Sequence, residues 1–105
     1  MEGRTADYLR LPDGRWLHPY LITDTVMPIA DWIRQHQLIQ ERQDRIVLQV
    51  IPFRRPTGEE IQQVERTVRE VLTSGVEFHV VLVSEIKRGP GGKFQLARSL
   101  IHSAG

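Results

Sequence analysis

The 105-residue chain contains no cysteine, which excludes disulfides and thiolate-held metals. Its four histidines, His18, His36, His79 and His102, show no close ligand spacing, so no structural metal is expected. No apolar run approaches the roughly 20 residues that a membrane helix needs. The opening Met-Glu-Gly-Arg-Thr-Ala-Asp lacks the apolar core of a secretion signal, and the expected location is the cytoplasm. Charge of one sign is missing too: fourteen basic residues are interspersed with thirteen acidic ones for a net +1, which argues against a nucleic-acid footprint. Lysine itself is scarce. Twelve of the fourteen basic residues are Arg, and Lys87 and Lys93 are the only lysines.

At 40% hydrophobic and 26% charged, residues 1–105 have the balance of one small domain with a modest core. Little interior is left for an enclosed pocket, so an active site would be a cleft, a loop or an interface. Tyr8 to Leu17 reads as two short extended pieces around the turn Pro12-Asp13-Gly14. Pro19 and Pro28 bracket a short helical piece, with Val26, Ile29, Ala30 and Ile33 at helical spacing. Ile33 to Gln40 and Arg45 to Phe53 read as an antiparallel hairpin across the polar turn 41–44. Thr57-Gly58-Glu59-Glu60 is a capping box that opens a helix with Ile61, Val64, Val68 and Val71 or Leu72 along one side. Ser74-Gly75 closes it, and Val76 to Ile86 follows as a strand apolar enough to be buried on both faces. The order predicts an α+β domain, a small, mainly antiparallel three-stranded sheet covered by helices, with an N-terminal hairpin.

Most other residues have a structural reading. Trp16 and Trp32 beside apolar neighbours read as core, and His36 and His79 as core or edge histidines held by hydrogen bonds. Glu59, Glu60, Glu65, Arg66, Arg69 and Glu70 read as the solvated helix face, and Arg54-Arg55-Pro56 as exposed loop ahead of the helix cap. The segment Lys87-Arg88-Gly89-Pro90-Gly91-Gly92-Lys93-Phe94 is different. Gly89, Gly91 and Gly92 make a loop whose backbone can approach another molecule closely, and Lys93 at its exit suits phosphate or carboxylate oxygens. Gly-Gly-Lys alone is also an ordinary exposed turn, and the spacing does not fit a P-loop.

Nearly the whole chain resembles the C-terminal domain of the adenylate-forming, AMP-binding acyl ligases, in the branch of phenylacetate–coenzyme A ligases and related capsule-biosynthesis proteins. Gly3-Arg4-Thr5-Ala6-Asp7 resembles the family's Gly-Arg-x-Asp-Asp hinge motif, with Ala6 departing from its first acidic residue. Gly14-Arg15-Trp16-Leu17-His18-Pro19 follows the Gly-x-x-apolar-x-Pro pattern, with about one extra residue at Pro12-Asp13. Gly92-Lys93-Phe94 with Arg98-Ser99 resembles the glycine-lysine motif. The resemblance implies that Lys93 is the catalytic lysine of adenylation, acting electrostatically, and that Arg4 lies near the nucleotide's ribose. It implies a hinge at Ala6 and Asp7, and a turn at Gly14 and Arg15 that faces the acceptor channel. It further implies a small carboxylic acid as substrate, ATP with Mg2+ bound mainly by a large N-terminal adenylation domain in cis or in trans, and an acyl acceptor that is coenzyme A, a carrier protein or an amine. The isolated chain is then expected to be inactive. A free-standing ferredoxin-like module that binds a small ligand or mediates assembly without catalysis remains the alternative.

Overall fold

The computed structural model describes residues 8–72, 75–86 and 97–99. Along the chain these form strands β1 (Leu9–Arg10) and β2 (Trp16–Leu17), helix α1 (Pro19–Val26) and a 3-10 turn at Met27–Ile29. Strands β3 (Ile33–Arg42) and β4 (Arg45–Pro52), helix α2 (Gly58–Val71) and strands β5 (Glu77–Leu82) and β6 (Ala97–Ser99) follow. The α+β class, the helical cover and the N-terminal hairpin are those the sequence predicts.

The strand directions are more varied than a mainly antiparallel sheet. β3 and β4 pair antiparallel at the centre, with Leu38 opposite Leu48, and the sheet order is β5-β4-β3-β6. β5 lies parallel to β4, and a short fourth strand, β6, lies parallel to β3. The physical reason is α2. A tight turn reverses the chain, whereas a helical crossover carries it back to its starting end, so the strand after α2 must run with β4.

Because Leu38, Leu48 and Val80 align across the three strands, even-numbered residues of β3, β4 and β5 share one face. On it Leu38, Ile46, Leu48, Val50 and Phe78 are buried against Val64 and Val68 of α2 and Ile22 and Val26 of α1. Each such side chain contributes roughly 1.5–3 kcal/mol relative to exposure. The Thr57 capping box is formed in both directions, and the helix it starts has the apolar stripe expected of it. His18 caps α1 through Nδ1, which accepts the Tyr20 amide at 3.1 Å.

Two polar side chains tie other elements to this face. Gln40 is 1% exposed, and its Nε2 donates to the Arg10 carbonyl at 2.6 Å, which joins the N-terminal hairpin to the sheet. His36 lies 3.1 Å from Thr23 Oγ1 of α1, and burial lowers its pKa from the ordinary imidazole value. Trp32 is core, at 1% exposure.

Three sequence expectations change here. Val76 to Ile86 is not buried on both faces: β5 is an edge strand, with Val81 and Leu82 at 42% and 40% exposure. Trp16 is not core but 62% exposed, because it pairs with Arg10 on the outer face of a hairpin whose inner face is Leu9 and Leu17. Glu65 and Arg69 are more than a solvated helix face. Glu65 Oε2 accepts the Val80 N–H at 3.0 Å, and the Arg69 guanidinium donates to the Phe78 carbonyl at 2.9 Å.

Replacing Gln40 with Leu keeps the size of the side chain but leaves the Arg10 carbonyl without its donor. The expected cost is about 1–3 kcal/mol, read as a lower urea midpoint with an unchanged slope.

Candidate functional site

Pro12 and Asp13 form the middle of a tight turn in which the Gly14 amide donates to the Leu11 carbonyl at 2.9 Å. Proline presets φ at the first position, and Gly14 follows at φ 91°, a left-handed conformation that the next residue pair of the hairpin requires. The Leu11 amide then donates to the Arg15 carbonyl at 2.9 Å and closes the loop. Asp13 turns back on Arg15: its carboxylate accepts the Arg15 amide at 3.0 Å and the guanidinium Nε at 2.9 Å. The predicted acceptor-channel residues Gly14 and Arg15 are therefore a rigid, exposed tip whose cation is held against its own turn.

Beside that tip the outer face of the hairpin is aromatic. The Arg10 guanidinium lies 5.4 Å from the Trp16 ring centroid, a cation–π contact. His18 stacks on Tyr20 at 5.0 Å and meets the edge of Tyr8 at 4.8 Å.

At the carboxyl ends of the parallel strands β4 and β5 lies an open groove of about 540 Å3, lined by residues 52–55 and 82–84. Phe53, at 71% exposure, and Leu82 give it apolar surface, and Arg54 and Arg55 give it charge. Crevices at the carboxyl ends of parallel strands are where α/β sheets take ligands, because the loops there diverge. Arg54 is fixed in place. It grips both oxygens of Glu60 at 3.0 and 2.7 Å and reaches Asp31 at 3.1 Å. Glu60 in turn accepts the Thr57 amide at 2.9 Å. The Arg54 hydrogen bond and the Thr57 amide hold the Glu60 carboxyl well below the usual carboxylate range, at about 2, and the hydrogen bond to Glu60, with a smaller one to Asp31, raises the pKa of Arg54.

Sequence reasoning placed Arg54 and Arg55 in a loop but could not show this groove, which joins residues some thirty positions apart. The remaining predicted site residues, Arg4, Ala6, Asp7, Gly89, Gly91, Gly92 and Lys93, lie outside the described residues. The chain enters the glycine-rich segment after Ile86, a few residues beyond the groove lining. Among the described residues, no group of His, Asp and Glu side chains could hold a metal ion, and no helix is long and apolar enough to cross a membrane.

Fold and surface together define a small α+β domain whose candidate sites, a rigid turn and an open groove, lie at its margins. The chain belongs to the family of CapK C-terminal domains, whose model matches residues 9–99. This makes it a capsule-biosynthesis-related C-terminal domain. No curated protein matches the chain.

Two predictions follow from the geometry. A Cβ at Gly14 meets nothing within 4 Å, so Gly14→Ala should cost only the left-handed strain, about 1–2 kcal/mol, with Gly14→Asn losing less. Thermal melts of the two variants check it. The second concerns acid. The folded pKa of Glu60 is depressed, so its contribution is present above its ordinary value of 4.5 and fades as pH falls towards 2. The stability advantage of the natural protein over Glu60→Gln should therefore shrink across that window in acid titrations followed by circular dichroism.

Proposed function

We propose that this chain is the C-terminal lid of an AMP-forming acyl or aryl carboxylate ligase and supplies the adenylation lysine, Lys93. One observation carries the reading: the CapK C-terminal domain match spans residues 9–99, so the Gly14-Arg15 turn and the Gly92-Lys93 loop both lie inside it. Arg4, Ala6 and Asp7 precede the matched span, and their hinge and nucleotide roles rest on the motif likeness alone.

In this reading a carboxylate oxygen of a small acid attacks the α-phosphorus of ATP, the bond to the β-phosphate oxygen breaks, and pyrophosphate leaves. Lys93 stabilises the charge that develops between carboxylate and α-phosphate. It forms no covalent bond. The acyl group then passes from the adenylate to a thiol, coenzyme A in the first instance, and AMP departs. Mg2+ arrives on ATP and is held by the N-terminal adenylation domain. The rigid Gly14-Arg15 tip suits a surface that is presented to an acceptor channel after the lid turns. The site of all these steps is cytoplasmic.

The test is ATP–pyrophosphate exchange with a panel of aryl and fatty acids. It uses the longest natural form of the protein, its Lys93→Ala variant and the 105-residue chain alone. The long form should exchange, and the fragment should be silent. Lys93→Ala should lower exchange by roughly 100-fold or more, as removal of one preorganised charge-stabilising donor does elsewhere. Exchange that is indifferent to Lys93→Ala removes the lysine from the mechanism. A long form that shows no exchange with any acid leaves the non-catalytic binding module as the better account.

A further inference from the structure

The outer edge of β5 is sealed along one half and open along the other. The Glu77 amide donates to the Asp44 carbonyl and the Val83 amide to the Val50 carbonyl, so odd-numbered amides of β5 face β4. Even-numbered residues therefore turn their N–H and C=O groups outward, where an edge strand invites pairing. Two of these groups are occupied. Arg69 donates to the Phe78 carbonyl and Glu65 accepts the Val80 amide, so the amino half of the edge is covered by an i,i+4 pair from α2. The next two outward groups, the Val80 carbonyl and the Leu82 amide, have no partner among the described residues. They flank Val81, and Val81 and Leu82 are both among the exposed large apolar side chains.

This open half shares Leu82 with the groove of residues 52–55 and 82–84. The two arginines there differ. Arg54 is neutralised by Glu60 and Asp31, while Arg55 is exposed and makes no hydrogen bond or ion pair among the described residues. One unmatched cation therefore stands beside the exposed Phe53 ring and an unpaired stretch of strand.

We propose that the open half of the β5 edge and the adjoining groove take up an extended segment of a partner protein as an added strand, with an acidic side chain set on Arg55. One residue of a parallel segment, or two flanking residues of an antiparallel one, can answer both the Val80 carbonyl and the Leu82 amide. An apolar side chain of the same segment covers Phe53 and Leu82. Main-chain bonds supply affinity at such edges, and side-chain pockets supply selectivity. Charge complementarity selects the occupant. A second copy of this chain brings the same Arg55 to the same rim, whereas an acidic segment brings the missing opposite charge.

The test pans a phage-displayed library of random dodecapeptides on the protein and measures the enriched peptides by fluorescence polarisation. Enriched sequences should carry an acidic residue next to or alternating with apolar ones. Arg55→Glu, an exposed substitution, should weaken their binding roughly tenfold or more, the equivalent of one charge-assisted hydrogen bond. Saturating peptide should slow hydrogen exchange at the Leu82 amide and leave the Val80 amide, already bonded to Glu65, little changed. Four outcomes would overturn the proposal. These are no enrichment, enriched peptides without acidic residues, an unaltered Leu82 exchange rate at saturation, and a concentration-dependent dimer in sedimentation that itself protects Leu82.

Discussion

Burial of the even-numbered face of β4 under α2 is the constraint from which the rest of the domain follows. Ile46, Leu48 and Val50 are at 0% exposure, as are Val64 and Val68 on the helix. To lie on that face, α2 must cross the sheet between β4 and the next strand, and the crossover makes that strand parallel. A parallel neighbour places the carboxyl ends of β4 and β5 side by side. The groove between residues 52–55 and 82–84 is the consequence. The same placement puts β5 at the sheet margin, and α2 also supplies the Glu65 and Arg69 side chains that cover half of the exposed edge.

Charge has a narrower role. Most of the ion pairs are exposed and worth at most about 1 kcal/mol. The Arg54 pair is different in what it fixes. A bidentate grip on Glu60, which also closes the α2 cap, holds the β4–α2 loop in one conformation and so shapes one wall of the groove. Arg45 makes a comparable junction at the other end of the sheet, bonding Glu41 and Glu77 at 2.7 Å each. That Arg45 hydrogen bond is the first cause of the lowered Glu77 pKa.

How legible this was in the sequence depended on how local the physics is. The Thr57 capping box, the Pro12-Asp13-Gly14 turn and the long β3–β4 hairpin were readable, because each is decided by residues within a few positions of one another. The position of β5 was not. Phe78-His79-Val80-Val81-Leu82 has the composition of an interior strand, yet composition measures how much apolar surface is present and not which neighbour the topology supplies. Trp16 misled for a related reason: in a two-residue strand the face is set by turn geometry, which pairs it with Arg10 and not with Leu9. Ala97-Arg98-Ser99 is too short to carry any period, so β6 has no signal in the sequence. Of the candidate site, the Gly14-Arg15 turn was visible and is observed. The groove was invisible because its two walls meet only in the fold. The Lys93 loop lies outside the described residues and rests on motif likeness.

The arrangement also bears on the proposed two-pose lid. The N-terminal hairpin is tied to the sheet at Gln40, beside the amino end of β4. The chain enters the lysine-bearing segment from the carboxyl end of β5, the opposite end of the sheet. Six residues of strand separate those ends, roughly 20 Å at strand rise. The Gly14-Arg15 tip is fixed by backbone bonds and by Asp13, so it moves with the hairpin and not by itself. If the tip is presented to an acceptor channel as proposed, the economical motion is rotation of the domain as a body.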